Sequence, residues 1–208
     1  LTFYDRSKAH QYTVGASGNH QAVGRLMRQS GRQLDLHQAD VCYSVTDGAD
    51  WILHRYQQCL PLLQANVLDD YHLREHVIAA SSKVHGEGST QAINWREQMM
   101  GVMLEQGPLA FLDRVGELRQ TLRAKSKRDA LESLGLYVAK RVAMLDYPTF
   151  RAKGYEIGSG PTEASCKTLT ARLKGSGMRW DRPNAEGIMA LAADRASGLW
   201  RQYWSQPQ

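Results

Sequence analysis

Glu163 is the acid in this chain whose surroundings most resemble a place for chemistry. It follows Gly158-Ser159-Gly160-Pro161-Thr162, a run that opens a helix. Pro161 suits the first helical position, where its missing N–H costs nothing, and Ser159 or Gly160 can cap, so Glu163 falls in the first turn. An acid there also simply favours the helix macrodipole. The predicted helix runs on through Lys167 to Arg172 and Lys174, with Arg179 and Arg182 beyond, cations that can hold a polyanion beside Glu163. Asp47 is the second such acid: it ends the β-rich run Val41–Val45 and precedes Gly48. Asp69 stands in the same way after the predicted strand Ala65–Leu68. In-line attack on a phosphodiester needs an activated oxygen, a stabilised leaving oxygen and neutralised phosphoryl charge, which paired magnesium ions supply. Magnesium is hard and takes carboxylates converging from separate elements, so Asp47 and Glu163 are the candidate ligands.

A rival chemistry overlaps the second block. His72-Leu73-Arg74-Glu75-His76 spells H-x-x-E-H, the string of inverted zinc metallopeptidases. Two histidines four apart on a helix can share zinc, with Glu75 as general base and Glu132, Glu156 or Glu163 as third ligand. The match is five residues long and explains neither the Glu163 block nor the cations after it. His72 has two further readings, a phosphate-positioning group and a histidine packed at a helix start. Asp50, Asp70 and Glu75 are neighbouring acids easily confused with true ligands; Asp50 lies just inside a helix start, where an acid is unremarkable.

The run Ile157-Gly158-Ser159-Gly160 through Glu163 and Lys167 to Arg172-Leu173-Lys174-Gly175-Ser176-Gly177-Met178-Arg179-Trp180, with Ser197-Gly198 and Trp200, resembles the C-terminal block of DDE insertion-sequence transposases, the Kra group above all. Thr46-Asp47-Gly48-Ala49-Asp50-Trp51-Ile52, then Leu68-Asp69-Asp70-Tyr71-His72 and Glu75-His76, is similar to that family's block before its helical insertion. The two blocks span roughly 37–80 and 154–204; the stretch between agrees only in being helical and basic. The resemblance implies an α/β, RNase H-like core with an all-helical insertion before the last catalytic helix. It implies Asp47 and Glu163 as catalytic metal ligands for Mg2+ (or Mn2+), and Asp69 and His72, a D-x-x-H element shared with Mutator-like relatives, in support. Lys167, Arg172, Lys174 and Arg179 would then contact DNA. The implied partner is double-stranded DNA, transposon ends and target, and the implied full-length state is a homo-oligomer. It also implies a first aspartate on an upstream strand, which makes these residues a catalytic-domain fragment; Asp5 sits in a loop outside the pattern. An inactive DNA-binding remnant is the alternative from outside the enzymes.

The elements that must position these groups follow from hydropathy. Thr2-Phe3-Tyr4 and Tyr12-Thr13-Val14 predict two short strands joined by the polar loop Asp5–Gln11. Gln21–Gln29 predicts a helix with Gly31 beyond its end. Ala49–Leu63 predicts a helix turning Trp51, Ile52, Tyr56, Cys59, Leu60 and Leu63 inward, and Asp70–Ser81 another. Strand, helix, strand, helix in alternation marks an α/β sheet with polar residues at the strand ends. From Asn94 to about Tyr147 the pattern becomes long and amphipathic: Met99, Val102, Met103 and Leu104; Phe111, Leu112, Val115, Leu118 and Leu122; Leu131, Leu134, Val138, Val142 and Leu145. Gly86-Glu87-Gly88-Ser89 and Gly107-Pro108 are the hinge candidates. Trp200, Tyr203 and Trp204 predict a terminal helix docking on the core. The segments are thus 1–93, a partial core; 94–153, the helical insertion; and 154–208, the last catalytic helix and basic tail.

At 208 residues and 42% hydrophobic content the chain can fill one core, with an insertion. The net charge of +5 is uneven: Arg119–Lys153 holds nine Lys and Arg against three acids, and Glu156 to the end seven against five. No apolar run approaches the roughly 18 residues of a membrane span and no signal-peptide pattern is visible, so no membrane partner and a cytoplasmic, nucleoid-associated location are expected. Cys42, Cys59 and Cys166 form no C-x-x-C pair and are expected as buried, reduced thiols.

Overall fold

The computed structural model describes residues 1–15 and 18–205, apart from the side chains of Gln202 and Tyr203. In chain order the elements are β1 (Thr2–Tyr4), β2 (Gln11–Thr13), α1 (His20–Gln33), β3 (Tyr43–Thr46), α2 (Asp50–Cys59), β4 (Ala65–Leu68) and α3 (Asp70–His85). There follow α4 (Thr90–Gln106), α5 (Pro108–Thr121), α6 (Lys125–Ala139), α7 (Tyr147–Ala152), α8 (Gly160–Thr170), α9 (Arg182–Ala196) and α10 (Trp200–Ser205). The protein is mixed α/β and mostly helical, and the strands form two two-stranded sheets among the described residues. No helix among them is long and apolar enough to cross a membrane. Two compact units divide the chain along lines that differ from the three sequence segments: 1–40 with 51–62 and 159–208, and 41–50 with 63–158.

In the first unit β1 and β2 pair antiparallel, Phe3 opposite Tyr12. Ser197, just after α9, acts as a one-residue extension of that sheet: Thr13 N–H donates to its hydroxyl at 2.8 Å, and the hydroxyl donates back to Thr13 O at 3.2 Å. α1 runs four residues past the predicted end, straight through Gly31. That glycine serves close packing, since a β-carbon there would lie 2.7 Å from Leu60 Cδ2. α2 stops at Cys59, short of the expected Leu63, because Leu60 precedes Pro61 and is barred from helical backbone. Of its six expected inward residues, Cys59 and Leu60 are buried while Trp51 is 45% exposed. α8 ends at Thr170, so Arg172 and Lys174 lie in turns beyond it and not on the helix. Ser165, Thr168 and Thr170 each donate to the carbonyl four residues back, which competes with propagation. The terminal helix α10 packs on α9, and its Trp200 and Trp204 pair edge to face at 5.6 Å while staying 40% and 58% exposed. The side chain of Tyr203 is outside the described residues.

In the second unit β3 and β4 pair parallel, with Tyr43 opposite Ala65 through Thr46 opposite Leu68. A parallel pair needs a crossover, and α2 lies in the connection. α3 packs on α4 and α6, and α5 on α4 and α6. The core of this unit holds Val67, Leu68, Leu73, Val77, Met99, Met103, Phe111, Val115, Leu131, Leu134, Val138, Leu145 and Tyr147. Val102, Leu104, Leu112, Leu118, Leu122 and Val142, also expected inside, are half-buried at the flanks of their helices. Gly86, Gly88 and Gly107 break the helices as expected, each with positive φ. Of the cysteines only Cys59 is buried; Cys42 is half-buried and Cys166 exposed, and none of the three is in a disulfide.

Candidate functional site

Asp47 stands at the carboxyl end of β3, on a turn built by its neighbours. Gly48 N–H donates to Thr46 Oγ1 at 3.1 Å, and Ala49 N–H donates to Asp47 Oδ1 at 2.9 Å. Gly48 has φ 72, and a β-carbon there would meet Leu68 Cδ1 at 2.6 Å, so the turn admits only glycine. Asp47 is exposed, with one carboxylate oxygen steering the turn.

Asp69 ends β4 in the equivalent position, with its N–H on Thr46 O at 2.7 Å. It is fully buried, and its Oδ1 accepts from Tyr71 N–H at 2.9 Å as the N-cap of α3. Asp69 therefore positions α3 and with it His72. His72 is half-exposed, its Nδ1 3.3 Å from Glu75 Oε2. Asp70 is engaged by Arg74 at 2.9 Å.

Beside Asp47, the end of α6 brings Tyr137 and Arg141, which the sequence does not single out, against His76 of α3. Arg141 Nη2 donates to Gly48 O at 3.3 Å and Nη1 to Tyr137 O at 3.3 Å, and its guanidinium lies 4.2 Å from the Tyr137 ring centre. The His76 ring stacks on Tyr137 at 3.6 Å. Desolvation, aided by the Arg141 charge, pulls the His76 pKa down, and desolvation pushes the Tyr137 phenol up. At neutral pH both rings are uncharged and Arg141 is the cation next to the Asp47 turn. The signal in the sequence was only Tyr137-x-x-x-Arg141, a one-turn spacing without chemical meaning until Gly48 is placed against it.

Glu163 is exposed in the first turn of α8, its N–H on Ser159 O at 3.1 Å, with Ser159 as N-cap and Pro161 one place later than expected. On the opposite face Ser165 is buried and accepts from Gln11 of β2 at 2.9 Å, which locks the helix to its sheet. Lys167 is exposed on α8, and Arg172, Lys174 and Arg179 are exposed in the turns that follow.

Magnesium needs few protein carboxylates because it keeps water and takes phosphate oxygens. Asp47 and Glu163 each present an exposed carboxylate of the right hardness, whereas buried Asp69 does not. No three His, Cys, Asp or Glu side chains among the described residues are gathered as a metal site. Of the two histidines, His76 stacks its ring on Tyr137. The chain matches no protein-family model, no curated protein and no solved structure.

Proposed function

We propose that the chain is the catalytic part of a DDE transposase with an RNase H-like core, similar to the Kra group, that cleaves transposon ends and transfers the free 3′ strand to target DNA. The observation that carries this reading is Asp47: an exposed carboxylate at the carboxyl end of a parallel strand, held on a turn that only glycine allows. Glu163 supports it by facing solvent from a helix start followed by four exposed cations. In this reading Asp47 and Glu163 hold Mg2+ (or Mn2+). The bound ions supply charge neutralisation at the phosphoryl group and an activated oxygen nucleophile. Asp69 and His72 keep the start of α3 in place, and Lys167, Arg172, Lys174 and Arg179 hold the DNA backbone by charge. The double-stranded DNA partner and a homo-oligomeric assembly belong to the same proposal.

The test is cleavage of a labelled element end by the protein. Asp47→Asn and Glu163→Gln are each expected to lower cleavage about a thousandfold, the scale of several kcal/mol of lost charge stabilisation, with DNA affinity nearly unchanged. Cleavage retained in both variants refutes the assignment. A second reading is a DNA-binding remnant without chemistry, which keeps the four exposed cations and dispenses with the acids. It expects the wild type itself to bind DNA and leave it uncut.

A further inference from the structure

Between α3 and the end of α6 runs a groove of about 440 Å³ whose lining includes His76, Lys83, Leu136, Tyr137, Lys140 and Arg141. It lies within the second unit. Three of the lining side chains are positive and none is acidic. Like charges around one concavity repel, more strongly where protein replaces water, and an anion in the groove offsets that repulsion. Arg141 shows the same need locally: Nε is buried without a hydrogen-bond partner, and the guanidinium's two carbonyl contacts are both long at 3.3 Å. The groove is not purely ionic. Leu136 is 57% exposed beside it, and His76 stacks on Tyr137 while its residue remains exposed.

We propose that this groove binds a single nucleic-acid strand, with phosphates on Lys83, Lys140 and Arg141 and a base or sugar against His76 and Leu136. The alternation of cations with flat and apolar surface is what a single strand requires, because its phosphates and its bases face different partners. The volume suits about one nucleotide of a strand, with its neighbours running along the rim. Arg141 donates to Gly48 O, so the strand's path ends at the turn that carries Asp47. The inference rests on the DNA reading above and adds to it the track by which one strand reaches that acid.

Fluorescence anisotropy of the 208-residue chain with a labelled oligonucleotide of about 20 nucleotides, across roughly 50 to 200 mM salt, tests it. Lys83 and Lys140 are exposed, so the double variant Lys83→Ala/Lys140→Ala leaves the packing intact. Two lost single-strand phosphate contacts reduce the slope of log K against log salt by about 1.4, and Lys83→Arg/Lys140→Arg keeps the wild-type slope. An unchanged slope in the alanine variant, with tight binding by the wild type, overturns the groove and leaves the transposase reading standing. Absence of wild-type binding to either the single strand or a duplex of the same length, at the lowest salt, overturns both.

Discussion

Replacing Tyr147 with phenylalanine removes one hydroxyl from a fully buried position and leaves the ring in place. That hydroxyl donates to Leu68 O at 2.9 Å, at the end of β4 and next to Asp69. Leu68 is itself fully buried, so the variant leaves a strand carbonyl short of a partner in a dry environment. The loss is about 1 to 2 kcal/mol, a net hydrogen bond plus part of the desolvation cost of the orphaned acceptor. Urea unfolding followed by circular dichroism reads this as a midpoint lowered by roughly 0.5 to 1 M with the slope unchanged. The pH dependence adds a second check. Burial first, then the charges of Asp70 and Asp69, raises the Tyr147 phenol well above its ordinary value of 10.0. A raised value means the unfolded chain sheds the proton first, so this contribution is fully present below pH 10 and declines as pH rises past it. Phenylalanine has no proton to lose. The gap between wild type and Tyr147→Phe is therefore constant from about pH 6 to 9 and narrows above about pH 10. A midpoint shift under roughly 0.1 M, or a gap that widens above pH 10, refutes the account of this contact.

Gly48→Ala is expected to cost about 2 to 4 kcal/mol: about 1 to 2 from left-handed backbone at φ 72, and the rest from the β-carbon approaching Leu68 and Arg141. Equal urea midpoints for the variant and wild type would show that the turn is not constrained as described. His85, at the end of α3, has a buried Nε2 without a partner, tilts against Trp95 and faces Lys127 from α6. Burial first, then the Lys127 charge, lowers its pKa below 6.5, so the unfolded chain takes up a proton before the folded one. Its contribution is complete above pH 6.5 and lost as pH falls, and His85→Phe should flatten the fall in melting temperature between about pH 6.5 and 5. A variant whose acid profile overlays the wild type would rule this out.

Much of the fold was legible because the elements obey local rules. The alternation around Ala65–Leu68 gave strand boundaries that match β4, and the glycines at 86, 88 and 107 stand where helices turn. The departures come from information that is not local. Gly31 looks like a stop and is a packing notch, which only the position of Leu60 explains. The helix carrying Glu163 ends a turn early because three hydroxyls turn back on its own carbonyls, a competition that hydropathy does not register. The aromatic residues at helical spacing near the end do mark a helix that packs on α9, yet Trp200 and Trp204 face each other at its partly exposed side.

The two strand-end acids show why a site is harder to read than a fold. Asp47 and Asp69 follow adjacent parallel strands at the same level, and on sequence each is an acid after a β-rich run. Their neighbours separate them. Gly48 lets the chain leave β3 in a left-handed turn that keeps the Asp47 carboxylate outside, with one oxygen on Ala49 N–H. After Asp69 the chain enters α3 directly, so its carboxylate is drawn inward to cap the helix at Tyr71 N–H and loses all exposure. One acid can meet a ligand, and the other makes the scaffold rigid next to it. That division also explains where Arg141 acts. A cation on the Gly48 carbonyl draws the Asp47 turn against the end of α6 and brings the α3–α6 groove to the carboxylate of this pair that solvent can reach.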